Sequence, residues 1–401
     1  MDSSKLDEGT AYGKPAGTCR SELTLVTAGT PGGEYLRRYW HPVGLASDAT
    51  SRPKPVRVLG EDLILYRDGC GRPGLVYPRC IHRGTSLYYG RVEDRGIRCC
   101  YHGWLFDVEG RCLEQPCEPD AGRKIRDRMR QPWYPVVEQY GLIFAYLGPA
   151  ERKPALPRYD LLEDLEQGEF LEADDSSIGS GGAVIVPCNW LQHFENVMDP
   201  FHVPILHGSF SGPQFVEQMA LMPEVSYATT ERGVKCLQVR KLEDGNIFNR
   251  ITEVVMPTLR LVASPRVTKY ARAASIGWVL PIDDTSFRIY VTGRVRKAGE
   301  LRESTSRYEG KRWIELTTEE HQRLPGDYEA QTGQGTITFH SEEHLASSDR
   351  GVSLVRRVLK EQIDIVKSGG DPMGVSHAAD APMVRTEAGN FIADAETAPR
   401  Q

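Results

Sequence analysis

Residues 80–104 have the sequence CIHRGTSLYYGRVEDRGIRCCYHGW, and the pattern of metal-binding side chains in this stretch indicates how the N-terminal part is built. It holds a Cys-x-His pair, Cys80 and His82, and after sixteen further residues a Cys-x-x-His pair, Cys99 and His102. Each pair lies in a glycine-punctuated loop between strand-like segments. Two thiolates and two neutral imidazoles can hold either a tetrahedral zinc ion or a two-iron, two-sulfide cluster with both histidines on one iron.

The distribution of these ligands favours the iron–sulfur cluster. Zinc fingers pair like with like, whereas here each loop supplies one cysteine and one histidine. A glycine in each loop would let backbone amides approach the bridging sulfides. The quartet, together with Arg83 and Trp104, resembles the Rieske domain of ring-hydroxylating oxygenases. In that family the first cysteine of the Cys-x-x-His pair is the ligand, so the resemblance implies Cys99 rather than Cys100.

A second group of histidines lies in residues 189–207, NWLQHFENVMDPFHVPILH. His202 and His207 are five positions apart, which on an ideal α-helix separates their directions by about 140°. Pro204 lies between them and can break the helix, so that the two imidazoles could converge. Two histidines and one carboxylate on one side of an iron form the facial triad of non-haem Fe(II) oxygenases.

The pattern E-N-x-x-D-x-x-H-x-x-x-x-H, which ends at His207, resembles the catalytic motif of Rieske oxygenase α subunits. The resemblance implies that His202 and His207 bind a mononuclear iron and that Asn196 lies beside it. It also implies that Asp199 bridges to a Rieske histidine of the neighbouring subunit; the alternative for Asp199 is a helix N-cap followed by proline. His193 is outside the motif and is expected to be a partly exposed helix histidine.

The third iron ligand has to come from a distant segment, and Asp327 in LPGDYEAQTGQG is the candidate. It follows a Pro-Gly break where a new helix should start, so a plain N-cap aspartate is the competing interpretation. Glu329 and Asp349 are the alternatives. The next segment, GQGTITFHSEEHLASSDRGV, resembles the branch of the family typified by phthalate dioxygenase, whose α subunits work without a small β subunit.

The chain has 401 residues and a formal charge of -6, which suggests more than one domain and argues against a general nucleic-acid binder. The patterns, together with the resemblance, predict an α+β protein with four parts: a loosely packed lead-in over 1–35, an all-β Rieske [2Fe-2S] domain over 36–150, a catalytic domain over 151–370 and a polar tail over 371–401. The resemblance implies an antiparallel sheet flanked by helices in the catalytic part. The apolar runs are too short for a membrane span, and the polar start shows no secretory signal, so a cytoplasmic location is expected.

The resemblance implies an oxygenase component that activates O2 at a mononuclear Fe(II) and oxidises an aromatic substrate, such as a phthalate- or phenoxybenzoate-like carboxylate. Electrons from NADH or NADPH would arrive through a separate reductase with flavin and [2Fe-2S] groups, and the assembly would be a homotrimer or stacked trimers. A substrate carboxylate needs a buried cation, for which Arg250, Arg260 and Arg266 are candidates. The alternatives are an O- or N-demethylating Rieske monooxygenase and a Rieske electron-transfer protein without catalysis.

Overall fold

The computed structural model describes residues 14–175, 184–210, 214–265, 270–303, 311, 315–378, 380 and 383–393. The helices, in chain order, are α1 Ser21–Thr24, α2 Pro31–Leu36, α3 Arg123–Arg126, α4 Asp160–Glu163, α5 Trp190–Asn196, α6 Glu300–Glu303, α7 Thr318–Arg323, α8 Asp327–Thr332 and α9 Arg350–Lys367. A π-helical segment spans Val203–Phe210, and a 3-10 turn spans Glu217–Ala220. None of the helices in these ranges is long and apolar enough to cross a membrane.

The strands of the N-terminal part are short, and they form three antiparallel sheets. Their bounds are β1 Trp40–Leu45, β2 Lys54–Val58, β3 Glu61–Arg67, β4 Pro73–Val76, β5 Arg91–Glu93, β6 Gly96–Arg98, β7 Leu105–Phe106, β8 Cys112–Glu114, β9 Trp133–Tyr134, β10 Val136–Gln139 and β11 Leu142–Tyr146. The strand orders are β1-β11-β10, β2-β3-β4-β9 and β5-β6-β7-β8. The β-rich N-terminal part that the sequence predicts is therefore confirmed.

The C-terminal part is organised around a large antiparallel sheet. The remaining strands are β12 Arg158–Tyr159, β13 Phe170–Asp174, β14 Glu224–Thr229, β15 Gly233–Lys241, β16 Ile247–Val255, β17 Leu259–Val262, β18 Ala271–Arg272, β19 Ser275–Asp283, β20 Ser286–Val295, β21 Met383–Val384 and β22 Gly389–Ala393. The order of the main sheet is β13-β20-β19-β17-β16-β15-β14, with β22 pairing with β16 and β18. This is the α+β architecture predicted from the sequence.

One face of this sheet is covered by helices. In β15 the buried positions alternate, Val234, Cys236, Gln238 and Arg240, as a strand with one covered face requires. The covering helix α9 is amphipathic, as its sequence predicts, and its Val355 and Leu359 are buried. The capping box predicted at Thr317 and Glu320 is also present at the start of α7.

Both ends of the chain contain more secondary structure and more buried residues than the sequence predicts. Within the lead-in, α1 and α2 are formed and Leu23, Val26 and Tyr35 are buried in the main core. Within the predicted tail, β22 pairs with β16 in the large sheet, and β21 pairs with β12 in parallel. Backbone hydrogen bonds to a neighbouring strand hold β21 and β22 in place whatever their composition. Composition alone therefore does not reveal these two strands.

The predicted boundary near residue 150 separates two sets of strands but not two hydrophobic cores. One continuous core cluster takes in residues from both sides, and the Phe144 and Trp278 rings meet edge to face with centroids 5.5 Å apart. A smaller cluster of buried residues, including Ile64, Leu87 and Ile97, lies beneath the two cysteine–histidine loops. The loops thus have a rigid base of their own.

Candidate functional site

The four cysteine and histidine residues of the first pattern lie together at the tips of two loops, one before β5 and one between β6 and β7. The Cys80 and Cys99 side chains are buried and hydrogen-bonded to each other. The His82 and His102 rings are partly exposed, with centroids 4.5 Å apart. Trp104 stacks on the His82 ring at 4.6 Å. The cysteines therefore face the protein interior and the histidines face the surface.

The two loops share the same backbone geometry. The Gly84 amide donates to the Cys80 carbonyl at 2.8 Å, and the Gly103 amide donates to the Cys99 carbonyl at 3.1 Å. Both glycines have positive φ, 78° and 71°, a conformation that other residues rarely adopt. The glycine in each loop is therefore needed for the turn that carries the ligand pair.

The charges at this site suit a metal cluster. Burial, together with the adjacent Cys99, raises the pKa of the Cys80 thiol to about 12. Burial, His102 and Arg83 lower the pKa of His82, which keeps its imidazole neutral. Two buried thiols become thiolates only beside a cation, and a neutral imidazole is the form that binds a metal. This donor set fits a [2Fe-2S] cluster, which Cys80 and Cys99 would hold from the interior and His82 and His102 from the surface.

Two further residues, which the sequence analysis missed, fasten these loops. The buried Gln131 side chain donates to the carbonyls of Tyr77 and Arg79 at 2.8 and 2.9 Å. Arg98 donates to the Gly103 carbonyl at 2.6 Å. Neither residue stands in a metal-ligand pattern, so only the folded positions show these contacts. Cys100 is exposed, whereas Cys80 and Cys99 are buried.

The second group of predicted ligands also converges. Asp327 Oδ1 lies 3.2 Å from His207 Nε2 and 3.5 Å from His202 Nε2. The two histidine rings have centroids 5.4 Å apart. One ligand atom from each of the three residues lies within 4.8 Å of the others. Two imidazoles and one carboxylate at this spacing fit an iron ion.

The local structure that brings the histidines together differs from the expected helix break at Pro204. Helix α5 already ends at Asn196, and Pro204 lies inside the π-helical segment Val203–Phe210. The wider π-helical turn has hydrogen bonds between residues five apart. His202 immediately precedes this segment and His207 lies within it, so the five-residue spacing matches the turn that the chain adopts.

Asp327 is the first residue of α8, but its side chain does not cap that helix. Burial opposes its ionisation, yet the nearby imidazoles of His207 and His202 outweigh burial and lower the pKa of Asp327 well below its usual range. The alternatives are engaged elsewhere: Glu329 contacts the Gly326 amide and His321, and Asp349 accepts from a nearby backbone amide.

Asn196 and Gln214 hold the ligand side chains in position. The Asn196 amide donates to Asp327 Oδ1 at 3.3 Å. Gln214 Oε1 lies 2.8 Å from His207 Nδ1, and Gln214 Nε2 donates to the Pro325 carbonyl at 3.4 Å. Asn196 belongs to the predicted set. Gln214 was missed, because no motif marks it seven residues after His207.

Asp199 satisfies parts of both sequence interpretations. Its Oδ1 accepts from the Phe201 and His202 amides at 3.0 and 3.4 Å, as a capping aspartate does. Its Oδ2 lies 3.6 Å from His202 Nδ1. Burial raises the pKa of Asp199, but His202 and the amides lower it by more. An ionised Asp199 therefore orients the His202 ring so that Nε2 points toward Asp327.

The expectation for His193 is wrong, because its side chain is buried rather than partly exposed. Its Nδ1 lies 3.1 Å from Gln331 Oε1, and burial and then Arg260 lower its pKa to about 3. The motif residue Glu195 is also buried and forms a two-point ion pair with Arg356 of α9, at 2.6 and 2.7 Å. Glu195 thus joins α5 to α9.

The candidate substrate arginines lie in different surroundings. Arg250 in β16 is buried and donates to Asn390 Oδ1 and to the Ala263 carbonyl, each at 2.8 Å. Arg260 in β17 lies on the covered side of the sheet, where burial lowers its pKa to about 10 and Asp327 acts in the opposite direction. Arg266 lies outside the described residues. Arg240 in β15 is a further buried arginine that the sequence analysis did not select.

Comparison with known proteins relates the chain to one family. Residues 39–139 match the Rieske [2Fe-2S] domain. The chain is 51% identical to the phenoxybenzoate dioxygenase subunit alpha of Ectopseudomonas oleovorans over 96% of this chain and 94% of that protein. It is 35% identical to the 5,5'-dehydrodivanillate O-demethylase oxygenase subunit of a Sphingobium species, over 88% and 82% of the two chains. It is 28% identical to the phthalate 4,5-dioxygenase oxygenase subunit of Pseudomonas putida, over 89% and 88%.

The fold is also that of solved structures. The Pseudomonas putida CBB5 NdmA QL mutant with caffeine superposes with a TM-score of 0.61 at 18% identity, covering 84% of this chain and 94% of that one. Dicamba monooxygenase bound to dicamba gives a TM-score of 0.60 at 16% identity, covering 83% and 99%. At these identities the agreement concerns the arrangement of helices and strands.

Proposed function

This chain belongs to the Rieske oxygenases, and we propose that it oxidises an aromatic carboxylate of the phenoxybenzoate or phthalate type at a mononuclear Fe(II). The observation that carries the site of the reaction is the convergence of His202, His207 and Asp327 within 4.8 Å. The substrate class rests on the 51% identical relative named as a phenoxybenzoate dioxygenase. A pure electron-transfer protein, one of the alternatives from the sequence, does not account for this family membership.

The proposed metal ligands form two centres with different roles. Cys80, His82, Cys99 and His102 would hold the [2Fe-2S] cluster. Iron held by the triad would bind and activate O2, using electrons that the cluster delivers. Around the triad, Asp199 and Gln214 orient the two imidazoles so that each Nε2 faces Asp327. Asn196 donates to the Asp327 carboxylate, which keeps that oxygen directed at the histidines.

The surface around the first loops suits an electron-transfer contact. His82 and His102 are only partly buried, so a donor can approach the outer edge of the cluster. Tyr88, Tyr89 and Tyr101 expose 47%, 69% and 55% of their surface nearby, an aromatic composition that is frequent in protein contacts. We assign this surface to a separate reductase that carries electrons from NADH or NADPH, and to the neighbouring subunit of a homotrimer.

The test is to count metals and to follow product in the same preparation. Protein purified anaerobically with full iron supply should contain about three irons and two acid-labile sulfides per chain. His202→Ala should retain the two sulfides and fall to about two irons. With a reductase, NADH and O2, the wild-type protein should convert phenoxybenzoate or phthalate to an oxidised product. Two irons in both proteins would contradict the mononuclear site.

The second candidate is demethylation, which the 35% identity to a protein named as an O-demethylase oxygenase subunit favours. The products distinguish the two reactions. Removal of a methyl group from an aryl ether or amine releases formaldehyde. Hydroxylation of the ring of an aromatic carboxylate leaves the number of carbon atoms in the substrate unchanged. Formaldehyde release from methoxybenzoates, with no oxidation of phenoxybenzoate or phthalate, would replace the first proposal with the second.

A further inference from the structure

Two arginines lie side by side in the protein interior. Arg240 of β15 is 1% exposed and Arg250 of β16 is 4% exposed. In the antiparallel pairing, Arg240 is opposite Phe248 and Arg250 is opposite Gln238. The two arginines are thus diagonal neighbours on one face of the sheet, a separation that long side chains can span.

No carboxylate neutralises this pair among the residues with described positions. Arg240 donates to the Leu221 carbonyl at 2.9 Å and to Gln238 Oε1 at 3.2 Å, and both acceptors are neutral. Its remaining terminal nitrogen, Nη1, is buried and has no hydrogen-bond partner in the described part of the chain. The two acceptors of Arg250, Asn390 and Ala263, are neutral as well.

Such a pair has an electrostatic cost. Burial lowers the pKa of Arg240 to about 10, and burial together with the adjacent Arg240 lowers that of Arg250 to about 9. A buried cation ordinarily has an anionic partner, because leaving it without one is strongly unfavourable. The arrangement therefore creates a local positive potential that an anion would neutralise, and the free Nη1 of Arg240 offers a donor for it.

The pair is connected through Leu221 to the segment that contains His207. Arg240 donates a hydrogen bond to the carbonyl of Leu221, the residue that follows the Glu217–Ala220 turn. That turn packs closely against the π-helical segment: a Cβ atom on Gly208 would lie 3.1 Å from the Ala220 Cα. Gly208 is the residue after His207. The Glu217–Ala220 turn therefore lies between Arg240 and the segment that contains His207.

We infer that Arg240, with Arg250 beside it, binds the carboxylate group of the aromatic substrate. The inference rests on the proposed function, because it assigns the anchor for that substrate class. Arg240 is the decisive member, since its buried Nη1 has no hydrogen-bond partner among the described residues. A guanidinium with a free N–H matches a carboxylate in charge and in geometry.

The experiment compares phenoxybenzoate with its uncharged analogue phenoxybenzamide, which has nearly the same shape. Their dissociation constants are measured by calorimetry on anaerobic, iron-loaded wild type, Arg240→Gln and Arg240→Lys. Arg240→Gln should weaken binding of the acid by about ten- to a hundredfold and change binding of the amide by less than about threefold. Arg240→Lys should fall between, because it keeps the charge and loses the planar fork.

The matched control is Arg288→Gln, which removes a cation from the same sheet. Arg288 is already paired with Asp175 and packs on the Tyr290 ring, so its loss should leave the ratio of acid to amide affinity unchanged. Equal weakening of acid and amide in Arg240→Gln would mean that Arg240 only supports the fold, and unchanged acid affinity would exclude it from the anchor. Either result overturns the inference.

A second measurement separates this inference from the proposed function. Benzoate should raise the unfolding temperature of wild type and Arg288→Gln more than that of Arg240→Lys or Arg240→Gln, and this readout needs no turnover. Oxidation of phenoxybenzoate with unchanged benzoate stabilisation in the Arg240 variants would overturn the anchor alone. Benzoate stabilisation that depends on Arg240, without oxidation of any aromatic acid, would support the anion site and contradict the proposed reaction.

Discussion

At the scale of single residues, the site depends on neutral side chains that orient the ligands. Gln214 contacts His207 Nδ1 at 2.8 Å and the Pro325 carbonyl at 3.4 Å, so it links the segment carrying one ligand to the loop before Asp327. A metal-binding histidine commonly has its second nitrogen fixed in this way. Removing such a contact leaves the ligand present but free to rotate.

We therefore expect Gln214→Leu to weaken Fe(II) binding at the triad by about ten- to a hundredfold without altering the [2Fe-2S] content. Gln214→Glu keeps an acceptor at the same distance and should lose less. The measurement is Fe(II) titration of chelator-treated protein, with acid-labile sulfide counted in parallel. Wild-type iron affinity in Gln214→Leu would show that packing around His207 is sufficient to orient the ring.

A second prediction at this scale concerns pH. His41 is fully buried, and burial lowers its pKa from 6.5 to about 4, although its contact with the Leu36 carbonyl acts in the opposite direction. The unfolded chain takes up a proton near pH 6.5 while the folded chain resists it until about pH 4. The stability that neutral His41 contributes is thus complete above pH 6.5 and is lost as the pH falls toward 4.

This loss should reach about 1.4 kcal/mol for each pH unit between those limits. His41→Gln removes the titrating group, so its unfolding free energy should fall less steeply between pH 7 and pH 5. Urea unfolding at several pH values, followed by tryptophan fluorescence, compares the two slopes. Parallel slopes would show that another group dominates the acid sensitivity.

At the scale of elements, the ion pair between α5 and α9 fixes the helix from which the iron-binding segment starts. Arg356 is almost fully buried and contacts both Glu195 and Glu343. Burial raises the pKa of Glu195, although Arg356 acts to lower it, so the carboxylate depends on this partner. A buried pair contributes little over an apolar replacement, yet losing one partner leaves an uncompensated charge.

Arg356→Met should therefore lower the free energy of unfolding by about 3–5 kcal/mol. The double variant Glu195→Gln/Arg356→Met should recover part of that loss, because the stranded carboxylate is gone. Lys360→Met on the exposed face of the same helix is the matched control, and it should change stability little. A double variant whose loss of stability equals the sum of the losses in Arg356→Met and in Glu195→Gln alone would contradict the coupling between α5 and α9.

At the scale of the whole molecule, the two groups of metal-binding side chains lie on different parts of the chain, and the proposed function requires electrons to pass between them. We propose that Asp199 is the point where the neighbouring subunit's cluster approaches. About a third of its side chain is exposed, while its carboxylate faces His202. It is therefore accessible from outside and connected to a ligand on the inside, as a bridging residue has to be.

Asp199→Ala should keep the [2Fe-2S] cluster and the mononuclear iron but reduce turnover by about a hundredfold or more. The cluster should still be reduced by the reductase, and single-turnover electron transfer to the iron should be slow. Asp349→Ala removes a carboxylate that is not one of the three triad ligands, and it serves as the control. Normal coupled turnover in Asp199→Ala, with a trimer in sedimentation, would exclude the bridging role.

The sequence by itself determined the residue patterns that are encoded over short distances. Cys80, His82, Cys99 and His102 were found from their spacing, and His202 and His207 from a motif of thirteen residues, because loops and single turns bring near neighbours together in a predictable way. The β-rich first part and the amphipathic α9 follow for the same reason, since strand and helix periodicities are local properties of the chain.

Only the tertiary structure decided which distant residues meet. Asp327 was one of several candidate carboxylates until the packing of α8 brought it to the histidines, more than 100 positions away. No local sequence pattern marks Gln214 or Arg240 as part of a site. The sequence predicts a tail where β22 lies, because its partner strand β16 is far away in sequence. Such contacts depend on how sheets and helices pack together, which summed local preferences do not specify.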